Sequence, residues 1–242
     1  MSGSSTYSGS TVILGGTLQA GATNALATNS AFSVGSRGTL DLASFNQTIG
    51  SLAGAGDVTL GSATLTTGND NTSTTFTGSI SGSGGLTKIG SGTLTLSGNN
   101  SYSGGTAING GTLAVSTDDN LGRRSGGLAF DGGTLQVAPR FFFSTFSTNR
   151  AITLNAGGGT FDTNRNDATL GGTISGPGSL TKIGAGTLTV SGSNTYTGAT
   201  VVAAARFHSP AISRRPAGCL WVPMPRLPEL VRHRASWWPA EH

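Results

Sequence analysis

The sequence predicts an all-β chain, a right-handed single-stranded parallel β-helix (β-solenoid) over residues 1–202 with a disordered tail over 203–242. Three observations predict it. A unit at residues 86–106, LTKIGSGTLTLSGNNSYSGGT, returns at 180–200 as LTKIGAGTLTVSGSNTYTGAT, with 15 of 21 positions identical. Its end also appears at residues 2–11 as SGSSTYSGST, which places Met1 where the repeat has Leu96. Inside this long period a Gly-Thr-Leu beat starts at Gly16, Gly38, Gly92, Gly111, Gly133 and Gly186, with variants at Ala63 and Gly159. The closest neighbours, Gly92 and Gly111, and the farthest, Ala63 and Gly92, bracket the length of one solenoid turn, and a fixed period of this size marks stacked repeats.

The third observation is the pattern after each beat. Leu40 and Leu42, Leu94 and Leu96, Leu113 and Val115, Leu135 and Val137, and Leu188 and Val190 alternate with Thr, Ser, Asp or Gln. Period two with one apolar side is the mark of a half-buried strand, and no useful helical period competes with it over 1–202. Further short strands follow at Val12 to Leu14, Ile49 to Leu52, Val58 to Leu60, Leu128 to Phe130 and Ile152 to Leu154, separated by Gly, Asn and Ser clusters. One coil of short strands cannot bury its own apolar side, so coils must stack. About eight coils at a spacing near 4.8 Å make a rod of roughly 40 Å.

Charge is scarce because stacking sets equivalent side chains beside one another, where like charges repel. Residues 1–202 hold two Lys and six Arg against eight Asp, so the net charge of +4 comes from the tail, whose six Arg face Glu229 and Glu241. All three His, all three Trp, Cys219 and six of the eight prolines also lie after Val202, whereas only one of 40 glycines does. The tail reads as a segment translated out of frame, since a GC-rich frame shifted by one nucleotide yields Arg, Pro, Ala, Trp and His. As a basic arm for nucleic acid it is weak, because its prolines break every useful helix. No apolar run reaches the ~20 residues of a membrane helix, and the N-terminal residues carry no signal-peptide pattern.

Without His or Cys, residues 1–202 exclude Ser-His-Asp and Cys-His nucleophilic sites and His-ligated zinc. Paired carboxylates remain, and glycosidic cleavage needs two of them about 5 to 9.5 Å apart. The candidates are Asp118 with Asp119 and Asp162 with Asp167. Both pairs read better as turns, the first accepting backbone hydrogen bonds and the second in a weak ion pair with Arg165. Asp41 and Asp131 read as outward neighbours of strands. No catalytic, cofactor-binding or metal-binding residue is expected, and calcium nonapeptides and phosphate loops are missing.

Other singled-out residues receive structural readings. Tyr7, Tyr102 and Tyr196 share one repeat position and one packing role. Lys88 and Lys182 read as solvated lysines at strand ends that discourage edge pairing. Asn99, Asn100 and Asn194 are expected to form amide ladders at turns. The glycosylation-like triplets at Asn46, Asn71 and Asn99 carry little weight. The Phe141 to Phe146 cluster is either a bulge packed over the solenoid or an exposed apolar patch, with packing preferred.

The strings GGLTKIGSGTLTLSGNNSYSGGTAINGGTLAV and NRAITLNAGGGTFDTNRNDATLGGTISGPGSLTKIGAGTLTVSGSNTYTG resemble the passenger-associated transport repeats of bacterial autotransporters. The resemblance covers residues 1–202. It implies a β-helical passenger of a Gram-negative cell, shown at the surface or secreted, in which the repeat aids secretion and folding. It also implies a partner, an outer-membrane β-barrel translocator, which this chain does not encode. The expected function is a structural surface stalk that supports adhesion to host or surface glycans or proteins, without enzyme activity and without nucleic acid. Self-association through the exposed solenoid ends is a further expectation. The alternatives are a carbohydrate-acting β-helix hydrolase or lyase, and a gene fragment without function.

Overall fold

The computed structural model describes residues 3–138 and 145–203 in full, and residues 207 and 208 by their backbone. Among these residues every regular element is a β-strand except one 3₁₀ turn, Asp118–Leu121. All strand pairs are parallel, and hydrogen bonding groups the strands into sheets of 12, seven and four. The all-β solenoid expected from the repeats is therefore present. Of the expected tail, Ala203 and the short strand Phe207–His208 are among the described residues and the rest lies outside them.

The chain visits three faces in a fixed cyclic order. One coil runs through Ile152–Leu154 on the second face, Gly159–Asp162 on the first and Ala168–Leu170 on the third, then returns to the second at Ile174–Ser175. The strand Ala31–Asp41 turns a corner within itself, since Ala31 to Val34 pair with Ser51–Gly54 while Thr39 to Asp41 pair with Asp57–Thr59. That is why the largest sheet has 12 strands: near the N-terminus it joins two faces.

Coil length follows from the register, and it varies. Thr39 pairs with Asp57, a short step along the chain, whereas Thr134 pairs with Thr160, a much longer one. On the first face Thr11 leads to Phe32, then Leu52, and by the register of Gly54 with Phe76 to Thr74. Leu94, Leu113, Leu135, Phe161, Lys182 and Val202 complete the series. These are about nine turns, one more than the beats suggest. The beats undercount because they do not mark one position of the coil. The Thr-Leu pairs at 93, 112 and 134 lie on the first face, that at 64 on the second and that at 187 on the third.

The interior is a column of alternate residues. Leu40, Leu42, Leu94, Leu96, Leu113, Val115, Leu135, Val137, Leu188 and Val190 are all buried, as the alternation requires. Neighbouring coils superpose them, so that Leu94, Leu113, Leu135 and Phe161 form one row. At ~25 cal/mol per Å² of apolar surface, this row structure is the main stabilising term. Phe146 is buried and its ring lies 6.0 Å from that of Phe161 at 53°, which bears out packing for this member of the Phe cluster. Phe141, Phe142 and Phe143 lie outside the described residues.

Candidate functional site

The two long copies of the repeat occupy different faces. From Leu86 on the second face, partners step through Thr106, Leu128, Ile152 and Ile174, which is four coils. The next strand, Leu180–Ile183, is on the first face. The copies are thus four coils and one further face apart, so the long repeat is not a whole number of turns.

Each copy nevertheless keeps its own contacts. Asn100 Oδ1 accepts from Ile80 N at 2.8 Å and Asn194 Oδ1 from Ile174 N at 2.9 Å, in both cases one coil back. Asn100 Nδ2 also donates to Asn120 O at 2.6 Å. These amides clamp backbone of adjacent coils, which corrects the expected side-chain ladders: Ile80 and Ile174 lie on the outermost strands of their sheets, where an N–H facing away from the sheet needs a partner, and the amide satisfies it. Asn99 is exposed. The tyrosines share a role as expected. Tyr102 and Thr106 hydroxyls lie 2.7 Å apart, Tyr196 and Thr200 2.6 Å, and Tyr7 and Thr11 2.7 Å. Tyr102 is fully buried, and that burial pushes its hydroxyl up to about 12 against weaker opposition from Thr106 and Arg150.

Lys88 and Lys182 are buried, at 1% and 0% exposure, which overturns the reading of solvated strand ends. Period two explains it, because Lys88 falls on the same side of its strand as Leu86, and Lys182 on the same side as Leu180. Burial lowers both ammonium pKa values, opposed by Asp70 for Lys88 and by Asp162 and Asp167 for Lys182.

Arg150 carries no motif that would single it out, yet it is the largest fully buried side chain described. Its Nε donates to Asp118 Oδ1 at 2.8 Å, and its terminal nitrogens donate to the carbonyls of Asp118, Gly122, Arg123 and Gly126. Asp118 is thus held by a guanidinium and not by turn amides. Exposed Arg124 reaches Asp118 and Asp119 at 3.5 and 3.6 Å. The signal that could have found Arg150 is again alternation, since Phe146, Thr148 and Arg150 are buried in step.

Other carboxylates are held by neutral donors. Asp162 accepts from Gln136 Nε2 at 2.7 Å and from Asn164 N at 2.9 Å, and Asp167 accepts from Thr187 N at 2.6 Å. The turn reading holds for this pair, but Arg165 enters none of the ion pairs found among the described residues. Asp41 takes hydrogen bonds from Gln19 and Thr59 on the coils either side, at 2.6 and 2.9 Å, and its pKa is lowered chiefly by the Gln19 bond. Asp57 takes one from Ser79 at 2.6 Å, and Asp131 one from Gly157 N at 2.8 Å.

One surface groove of about 280 Å³ crosses four strands of the second face and reaches Thr64 beside the next. Its floor is the outward row Thr87, Ala107, Ala129 and Thr153, which the register aligns. Every lining residue is Gly, Ala, Thr or Leu. Three of its glycine carbonyls are already engaged, Gly85 O by Leu65 N at 3.0 Å, Gly105 O by Leu86 N at 3.1 Å and Gly127 O by Thr106 N at 3.0 Å. Such a surface offers van der Waals contact and threonine hydroxyls, and no group for proton transfer.

Three segments, residues 1–20, 86–115 and 180–206, match the family model described as Passenger-associated-transport-repeat. The chain carries this repeat. Their bounds take in the three copies of the Tyr-to-Thr contact and both buried lysines. The chain is also similar to the Adhesin BmaC autotransporter of Brucella suis biovar 1 (strain 1330), at 40% identity over 126 residues. The match covers 49% of this chain and 4% of that relative, so the chain corresponds to a small part of its length. No solved structure matches. The repeats and this relative mark an autotransporter passenger segment at the surface of, or secreted from, a Gram-negative cell.

Proposed function

We propose that this chain is a rigid, non-enzymatic stalk segment of an autotransporter passenger, whose repeats aid secretion and folding of the passenger and whose exterior supports adhesion. The observation that carries the reading is the placement of charge. Lys88, Lys182 and Arg150 point inward, and Asp41, Asp57, Asp131 and Asp162 are each held by a neutral amide, hydroxyl or backbone N–H on a neighbouring coil. A cleaving site on a solenoid face would need carboxylates free to exchange protons. A spacer needs coils that stack without repulsion.

The partners of this reading are an outer-membrane β-barrel translocator and, for adhesion, host or surface glycans or proteins. The solenoid ends are also surfaces for self-association. The boundary at residues 202 and 203 separates the stalk from the tail.

The test is a passenger carrying this chain between an export signal and a translocator, with residues 86–115 replaced by a Gly/Ser segment of equal length. The expected result is less protease-accessible passenger at the cell surface at unchanged translocator level, and lower cell attachment. Equal surface amounts would refute the role in secretion. Polysaccharide turnover by the purified chain, lost in Asp162→Asn, would establish the hydrolase or lyase alternative instead.

A further inference from the structure

The chain has two lysines, and both end in the interior at the same place in the repeat, the Lys of Leu-Thr-Lys-Ile-Gly. Lys88 Nζ donates to Ile89 O at 2.5 Å, Gly90 O at 3.3 Å and Gly110 O at 3.5 Å. Lys182 Nζ donates to Ile183 O at 2.7 Å, Gly184 O at 2.6 Å and Thr163 Oγ1 at 2.7 Å. Gly90 and Gly184 have φ of +67° and +74°, the left-handed corner that lets two successive carbonyls meet one nitrogen.

The corner, and not the sheet behind it, builds this cluster of oxygens. Lys88 lies between Thr67 and Ile108 on one face, whereas Lys182 lies between Phe161 and Val202 on another. The third oxygen comes from the following coil at Lys88 and from the preceding coil at Lys182. Only the two carbonyls of Ile and Gly are common to both. The oxygens are neutral and stand at hydrogen-bonding distance, with no carboxylate among the direct partners, which suits N–H donors better than a hard metal cation with ligands at roughly 2.0–2.6 Å.

We propose that the Ile-Gly corner is a binding site for a primary ammonium group in its own right, and that Lys88 and Lys182 are its tethered occupants. The site holds the charge because carbonyl dipoles converge there. The lysine closes the corner and joins it to a neighbouring coil.

Lys182→Ala removes the ammonium and leaves room for a three-carbon chain, so n-propylammonium is the probe and tetramethylammonium, with equal charge and no N–H, is the control. The variant is expected to melt several degrees below the unchanged chain. Millimolar n-propylammonium recovers at least half of that loss in a saturable manner, tetramethylammonium recovers none, and neither salt shifts the unchanged chain. Equal recovery by both salts, recovery by neither, or an unaltered Tm in Lys182→Met would overturn the proposal. Should Lys182→Ala fail to fold, its refolding yield from urea is read in the two salts, and a yield no higher in n-propylammonium overturns it as well.

Discussion

Residues 86–106 and 180–200 are nearly the same sequence, but they stand on different faces of the rod. The first copy puts its Leu-Thr-Lys strand on the second face and its Gly-Thr-Leu strand on the first, while the later copy moves each by one face. Three contacts are preserved: the lysine under its corner, the Asn reaching back to the preceding coil, and the Tyr bonded to the Thr that follows it. What differs is the face on which each contact stands and the extra partner drawn from a neighbouring coil: Lys88 takes Gly110 O from the following coil and Lys182 takes Thr163 Oγ1 from the preceding one, while Asn100 also binds Asn120 O. The repeat therefore specifies how one coil grips the next, and the coils between the copies set their relative angle.

The strongest way to break this picture is to loosen those intervening coils. Arg150 binds across to Asp118 in another coil, and removing it strands a buried carboxylate and several carbonyls. Arg150→Ala is expected to cost about 3–5 kcal/mol in urea unfolding, with a much smaller loss when Asp118→Leu and Arg150→Met are combined.

Next come the clamps that the copies share. Asn100→Ala leaves Ile80 N and Asn120 O unpaired and is expected to cost about 2–3 kcal/mol, while Asn194→Ala strands one N–H and costs about 1 kcal/mol. Tyr102→Phe, which leaves the buried Thr106 hydroxyl without its partner, should cost about 1 kcal/mol. Tyr196→Phe, at a half-buried site, should cost less. Equal losses at the two copies would mean that burial does not separate them.

A further effect is in alkali. Lys88 and Lys182 have pKa values below 10.5 in the folded chain, so the folded state binds fewer protons and stability rises with pH up to about that value. Tyr102 is raised from 10.0 to about 12, so its contribution is complete below 10 and is lost as pH climbs toward 12. Urea midpoints should therefore pass through a maximum near pH 10. In Lys88→Met/Lys182→Met only the falling limb should remain.

Much of this was legible in the sequence, because in-or-out placement is a local property of alternation. Leu94, Leu113 and Leu135 could be assigned inward from their neighbours alone, and the shared tyrosine position identified a shared contact. Alternation also places Lys88 and Lys182 inward. The expectation of solvated lysines came from weighing residue type above period, and the carbonyls that receive them arise only when Gly90 and Gly184 turn left-handed. The angle around the rod was not legible. Faces with the same in-and-out rule are interchangeable, and coils of unequal length add up to a phase that no single beat records. Arg150 was missed because its partner Asp118 lies far back along the chain, in another coil.

The rotation between copies can be measured directly by cross-linking outward pairs in a Cys219→Ser background. On the first face Thr160 and Thr181 are register partners, whereas Thr153 lies on the second face. Thr160→Cys with Thr181→Cys should form a disulfide rapidly under mild oxidation, and Thr153→Cys with Thr181→Cys should not. The reverse result would place the later copy on the same face as the earlier one and contradict the account.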